Sequence, residues 1–158
     1  EKAARETKRN PLDIAKEYTD KFLRDIEKLN IERPEHITPA TLHIKEMEEY
    51  VKKIMDNGYA YETSKGVYFD TSKLENYYVF GNQNEEELLI GVREDVTEDE
   101  NKKNKNDFVL WFTKSKFEDQ ALKWPSPWGV GYPGWHIECS CISMKHLGEY
   151  MDIHCKNY

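Results

Sequence analysis

The sequence predicts a mixed α+β chain of the α/β class, and three observations carry that expectation. Apolar residues recur at helical spacing through the first third; two short aromatic runs flank a polar turn in the middle; and a long Pro/Gly-rich loop leads into one more helix near the end. At 158 residues the chain is ample for one hydrophobic core and thin for two. Its 38% hydrophobic, 34% charged and 13% aromatic content predicts a folded unit with a charged surface rather than a disordered segment.

From Pro11, the residues Ile14, Tyr18, Phe22, Ile26 and Leu29 keep a three- and four-residue spacing with Lys, Asp and Glu between them, which predicts an amphipathic helix to about Asn30. Glu32-Arg33-Pro34 breaks it. Thr38-Pro39 offers a capping hydroxyl and a first-turn proline for a second helix, with Ile44, Met47, Val51, Ile54 and Met55 on its buried face and Gly58 as its stop. Tyr59-Ala60-Tyr61 and Val67-Tyr68-Phe69 around Thr63-Ser64-Lys65-Gly66 predict a β-hairpin, followed by an aromatic-rich loop to Gly81. Glu85 to Ile90 reads as a short helix ended by Gly91, and Glu98 to Asn106 as a solvated loop.

Asp107 to Phe112 reads as an apolar strand. Six prolines and glycines between Trp124 and Gly134 argue against regular structure there and for a tightly shaped loop. A helix from Trp135 to about Leu147, closed by Gly148, and a short final strand at Met151 to His154 complete the expectation.

The formal charge of −7 gives no general electrostatic reason to bind a polyanion, so any nucleic-acid contact must come from local patches or from sequence outside this chain. No apolar run approaches the roughly 20 residues of a membrane span, so no membrane partner is expected. Three cysteines cannot all pair internally, which points to a reducing, cytoplasmic compartment. The chain opens without methionine inside a charged, helix-like run, and it reads as an excerpt of a longer polypeptide.

Chemistry concentrates at the end: all three cysteines and three of the five histidines lie between His136 and Cys155. That density is a metal-site signal. On a helix, His136 and Cys139 share a face, whereas Cys141 lies about 200° round from Cys139, so both thiols cannot address one metal. From the residues alone, Cys139 and Cys141 read equally as small buried hydrophobes, and Trp135 as a core plug beneath the loop.

Pro125-Ser126-Pro127-Trp128-Gly129, then Pro133-Gly134-Trp135-His136-Ile137-Glu138-Cys139-Ser140, then Leu147-Gly148 and Asp152-Ile153-His154 resemble the cysteinyl-tRNA synthetase family. The resemblance extends upstream in the same order, through Leu29-Asn30-Ile31, Arg33-Pro34, Ala40 to Ile44, Gly58 to Tyr61, Val67 to Asp70 and Asp107 to Trp111. It implies a class I Rossmann-type catalytic domain with a connective-peptide insertion, residues 1–130 being the insertion region and 131–158 the return into the catalytic domain. It also implies activation of cysteine by Mg-dependent use of ATP and transfer to tRNA(Cys), with zinc selecting the substrate thiol. Cys139 is then the zinc ligand, joined by an earlier cysteine and a later His/Glu motif outside this chain, and Trp135, His136 and His154 line the substrate pocket.

Tyr132 stands where the family commonly has arginine, Cys141 where it has alanine, and Cys155 to Tyr158 where glycines lead to the His/Glu motif. Neither a HIGH nor a KMSKS motif occurs, so this polypeptide alone is expected to be inactive. Two rival expectations are a cysteine:amino-sugar ligase of mycothiol synthesis, which tends to carry glutamine at the position of His154, and a non-catalytic zinc- or tRNA-binding module of the same ancestry.

Overall fold

The computed structural model describes residues 2–75, 77, 100–114 and 122–155. The expected helix at Glu85 to Ile90, its Gly91 stop and the ends of the two neighbouring loops lie outside these residues. The chain divides into two compact units, Glu1–Pro39 with Asp119–Lys123, and Ala40–Glu118 with Trp124–Tyr158.

In the first unit, helix α1 (Lys2–Thr7) precedes helix α2 (Pro11–Lys28). The Asn10 side chain caps α2 by accepting from the Leu12 N–H at 2.9 Å, and Pro11 occupies the first helical position, where the missing N–H costs nothing. At the other end Asn30 adopts a left-handed φ of 54°. Its N–H reaches Glu27 O and that of Ile31 reaches Ile26 O, so the last carbonyls are satisfied where the sequence places the stop. Ile26 is buried, while Tyr18 and Phe22 of the same apolar stripe are exposed.

In the second unit the sheet order is β1 (Ala60–Thr63), β2 (Gly66–Phe69), β3 (Phe108–Phe112) and β4 (Tyr132–Pro133), antiparallel throughout. Helices α3 (Ile44–Asp56) and α4 (Trp135–Leu147) pack on it and on each other. The core joins Ile44, Met47 and Val51 of α3, Val67 of β2, Leu110 and Trp111 of β3, and Ile137 and Cys141 of α4. Leu110 and Trp111 are adjacent in sequence and would face opposite sides of a regular strand. The register shift between Val67 and Tyr68 leaves Leu110 as the extra residue of a bulge, which lets both reach the same core.

Four expectations are corrected. Thr38-Pro39 does not start the second helix: Ala40–Leu42 forms a single 3₁₀ turn, and α3 begins at Ile44 with His43 at its cap and no side-chain cap bond. The core decides this start, because Ile44, Met47 and Val51 must share the buried stripe. The Pro/Gly-rich loop does contain regular pairing, since Tyr132 and Pro133 pair with Phe112 and Trp111, and Trp124 bridges Gly131. Gly131 and Gly134 permit it, because a Cβ at either would fall 1.8 Å from Phe112 O and 2.2 Å from Val109 O. Met151 to His154 forms no strand and is exposed, since the described strands offer it no partner. Finally, Asn104 in the polar run is half-buried rather than solvated, held by hydrogen bonds to Asp70 and Asp107.

Candidate functional site

The end of α4 that follows the loop is fixed by backbone pairing. The Gly134 N–H donates to Leu110 O at 2.8 Å, and Gly134 is also the helix cap, so β3 sets where α4 begins. Trp135 and His136 therefore emerge at a defined position, and Cys139 follows one turn later.

Trp135 is 64% exposed, so it does not plug the core beneath the loop, and the plug reading is overturned for the described residues. The His136 ring rests against Phe108, with centroids 4.5 Å apart and planes tilted by 53°. Its backbone carbonyl accepts the Ser140 hydroxyl at 2.8 Å. The two helix cysteines separate as helical spacing requires: Cys139 is exposed, whereas Cys141 is 1% exposed inside the core. Burial pushes the Cys141 thiol above its ordinary value, with Glu46 adding to the effect, so it stays protonated and is a poor metal ligand. Burial likewise raises the neighbouring Glu138 carboxyl. His154 and Cys155 are exposed beyond the helix.

A recess of about 420 Å³ opens beside the start of α4, with Phe69, Phe108 and Leu110 from the sheet, Tyr50 and Lys53 from α3, and His136 and Ser140 from α4 on its walls. Of the four residues singled out from the sequence, only His136 lines it. Trp135 and Cys139 share its helix, and His154 stands apart on the exposed segment.

The donor set fits a zinc ion in part. Cys139 offers one thiol on an open helix face, the soft donor that zinc prefers. Among the described residues no group of three or more His, Cys, Asp or Glu gathers at metal-binding range. A four-coordinate site at Cys139 would therefore draw its remaining ligands from elsewhere.

Two polar clusters escaped the sequence reading. Asp107, 2% exposed at the head of β3, accepts from the Tyr61 hydroxyl at 2.6 Å, the Thr71 N–H and hydroxyl at 2.8 Å each, and the Asn104 N–H at 3.0 Å and side-chain amide at 3.2 Å. Burial by itself would raise this carboxyl, but the hydrogen bonds from Tyr61, Thr71 and Asn104 outweigh it and hold Asp107 below the ordinary carboxylate value. The same burial and the Asp107 contact push the Tyr61 phenol up. Between α3 and α4, Lys145 donates to Glu46 and lies 3.2 Å from His43 Nδ1. The Lys145 hydrogen bond holds the Glu46 carboxyl down at about 2. A charged residue directly before an apolar strand was the one available signal for Asp107; nothing local marks Glu46 and Lys145, which are 99 residues apart.

Among the described residues no helix is long and apolar enough to cross a membrane. Residues 1–157 match the family described as "tRNA synthetases class I (C) catalytic domain". A cysteine–tRNA ligase of Treponema denticola is 54% identical over 153 residues, covering 97% of this chain and 31% of that protein. Cysteine–tRNA ligases of Chlorobaculum tepidum and Methanococcus maripaludis strain C6 are each 42% identical, covering 98% and 97% of this chain and 31% of their own length. The chain thus spans about a third of the length of these curated relatives. With nearly all of its residues inside the match, the chain belongs to the family of class I (C) tRNA synthetase catalytic domains.

Proposed function

We propose that this chain is part of a cysteine–tRNA ligase, which activates cysteine with ATP and Mg²⁺ and transfers it to tRNA(Cys), and that it contributes the zinc-holding thiol and part of the cysteine pocket. The observation that carries the reading is the division of labour along α4. Cys139 is presented on the open face one turn after Trp135 and His136, while Cys141 is locked in the core. A bound zinc would supply a Lewis acid that prefers a substrate thiolate to a serine hydroxyl, which discriminates where an apolar pocket separates isosteres weakly.

The chain's own residues do the placing. Trp135, large and open to the solvent side of α4, serves as a wall for the amino acid. His136, at the mouth of the recess, offers ring nitrogens that hydrogen-bond its polar groups, and His154 supplies a further one from the segment after α4. In ancestry, residues 1–130 correspond to the insertion region and 131–158 to the return into the catalytic domain. This division differs from compactness, since α4 packs in the same unit as α3 and β3. The three free cysteines agree with a reducing cytoplasm as its location.

The test is Cys139→Ala in the full-length ligase, read by metal content after dialysis and by cysteine binding in a calorimeter. Loss of about one zinc per chain together with cysteine affinity is expected. Full zinc occupancy and unchanged affinity would remove Cys139 from the site.

A further inference from the structure

We propose that the recess beside the start of α4 receives a nucleotide from the unpaired 3′ end of tRNA, its apolar floor taking the base and the Lys53 ammonium the phosphate. This rests on the reading of the chain as part of a tRNA ligase given above. Such a tRNA must bring its terminal ribose to the activated cysteine, and the recess adjoins that place: His136, one turn before Cys139, forms part of its wall.

The lining has the chemistry of a nucleotide site. Phe69, Phe108 and Leu110 of the sheet, Ile54 of α3, and Ile137 and Met144 of α4 make the floor apolar. At about 420 Å³ the recess lies within the range of small-ligand clefts and is far roomier than a cysteine side chain requires. Tyr50, Lys53, Ile54 and Asn57 reach it from one face of α3 and its C-terminal cap, because they recur at three- and four-residue spacing. Among the described residues, the Lys53 ammonium and the Asn57 amide have no hydrogen-bond or ion-pair partner. Among the same residues the lining holds one ammonium and no carboxylate, in a chain whose formal charge is −7. The neighbouring Lys52 differs, since its ammonium donates to Asp56 at 2.6 Å and its charge is answered locally. An uncompensated cation beside an apolar floor suits a flat ring that carries an anion. Single-stranded RNA ends offer that combination, with phosphates for the cation and bases free to leave the stack. The Asn57 amide, both donor and acceptor, suits the edge of such a base, whereas an apolar peptide would leave Lys53 and Asn57 without partners.

The test uses the full-length ligase and two forms of tRNA(Cys), intact and trimmed of its unpaired 3′ nucleotides. Lys53→Ala should weaken binding of the intact tRNA between about threefold and tenfold and reduce the slope of log affinity against log salt by about 0.7, the share of one single-strand phosphate. Binding of the trimmed tRNA should stay as in the wild type, and Lys53→Arg should restore the intact form. Met144→Asp, which sets a carboxylate at the 39% exposed rim position, should weaken the intact tRNA in the same way. Lys52→Ala, which removes a cation from the same helix turn but not from the recess, is the control and should change neither. In aminoacylation the loss at Lys53 should appear in KM for tRNA, and not in KM for cysteine or ATP measured by pyrophosphate exchange. Equal effects of Lys53→Ala and Lys52→Ala, or equal losses on intact and trimmed tRNA, would overturn the inference. So would an unchanged affinity in both Lys53→Ala and Met144→Asp, which would show that the rest of the ligase covers the recess. Absence of cysteine-dependent pyrophosphate exchange in the wild-type full-length protein would instead defeat the ligase reading, and this inference with it.

Discussion

Cys139 and Cys141 are two residues apart and belong to different worlds. Cys141 touches α3 and the sheet core, so replacing its sulfur by a hydroxyl buries an oxygen among apolar groups. Cys141→Ser should destabilise the fold by about 1–3 kcal/mol in denaturant unfolding, whereas Cys139→Ser should stay within about 0.5 kcal/mol. Equal losses at the two positions would contradict the separation seen along α4. Asp107 and Glu46 make a second prediction at this scale. Each carboxyl titrates below its ordinary value in the folded chain, so each contributes stability that is fully present above its unfolded value and lost as pH falls through its folded one. For Glu46 that window runs from about 4.5 down to about 2. Unfolding profiles of the wild type should therefore fall below about pH 4, and Asp107→Asn and Glu46→Gln should each flatten that limb. Asp107→Asn should in addition cost about 1–3 kcal/mol at neutral pH, because an amide cannot accept from every donor that surrounds the carboxylate. A limb equally steep in both variants would place the acid sensitivity elsewhere.

Two helix boundaries show how elements are set by different means. The α3 stop is local: Gly58 has a φ of +79°, its N–H reaches Met55 O at 2.8 Å, and that of Tyr59 reaches Ile54 O at 3.0 Å. Among the described residues no atom beyond the chain neighbours lies within 4 Å of a Cβ built there, so Gly58→Ala should cost only the left-handed penalty of about 1–2 kcal/mol. The α4 start is set by contact, since a Cβ at Gly134 would meet Val109 O at 2.2 Å, and the backbone itself would have to move. Gly134→Ala should therefore cost about 1–3 kcal/mol and, unlike Gly58→Ala, displace Trp135 and His136, seen as a changed indole emission together with the lower melting temperature. An unaltered emission spectrum in Gly134→Ala would show that the start of α4 tolerates the shift.

For the whole chain, net charge and missing motifs point the same way. A charge of −7 offers tRNA no general attraction, and the residues include neither of the two ATP motifs expected of a class I synthetase. The 158-residue chain by itself should give no cysteine-dependent ATP–pyrophosphate exchange above background; measurable exchange would show that it carries more of the catalytic machinery than the pocket residues proposed above. Tyr150 and Ile153, 88% and 80% exposed, continue the open surface past α4.

Much of the fold was legible because it is encoded locally. The spacing of Ile14 to Leu29, the Gly58 and Gly148 stops, the polar turn that narrows to Ser64-Lys65 once Thr63 pairs with Gly66, and the run Phe108 to Phe112 each specify an element through periods and caps that act over a few residues. The helical geometry of Trp135 to Leu147 likewise separated Cys139 from Cys141 by angle, but not which of the two faced inward. That choice belonged to tertiary structure, because it depends on Met47 and Val51 of α3 and Trp111 of β3 arriving from two other places in the chain to bury one side of α4. The true start of α3, the short β4 pairing inside a loop rich in proline and glycine, the missing strand at Met151 to His154, and the Asp107 carboxylate surrounded by Tyr61, Thr71 and Asn104 were decided in the same way. Each depends on partners distant in sequence, and a residue's local pattern carries no record of what will be packed against it.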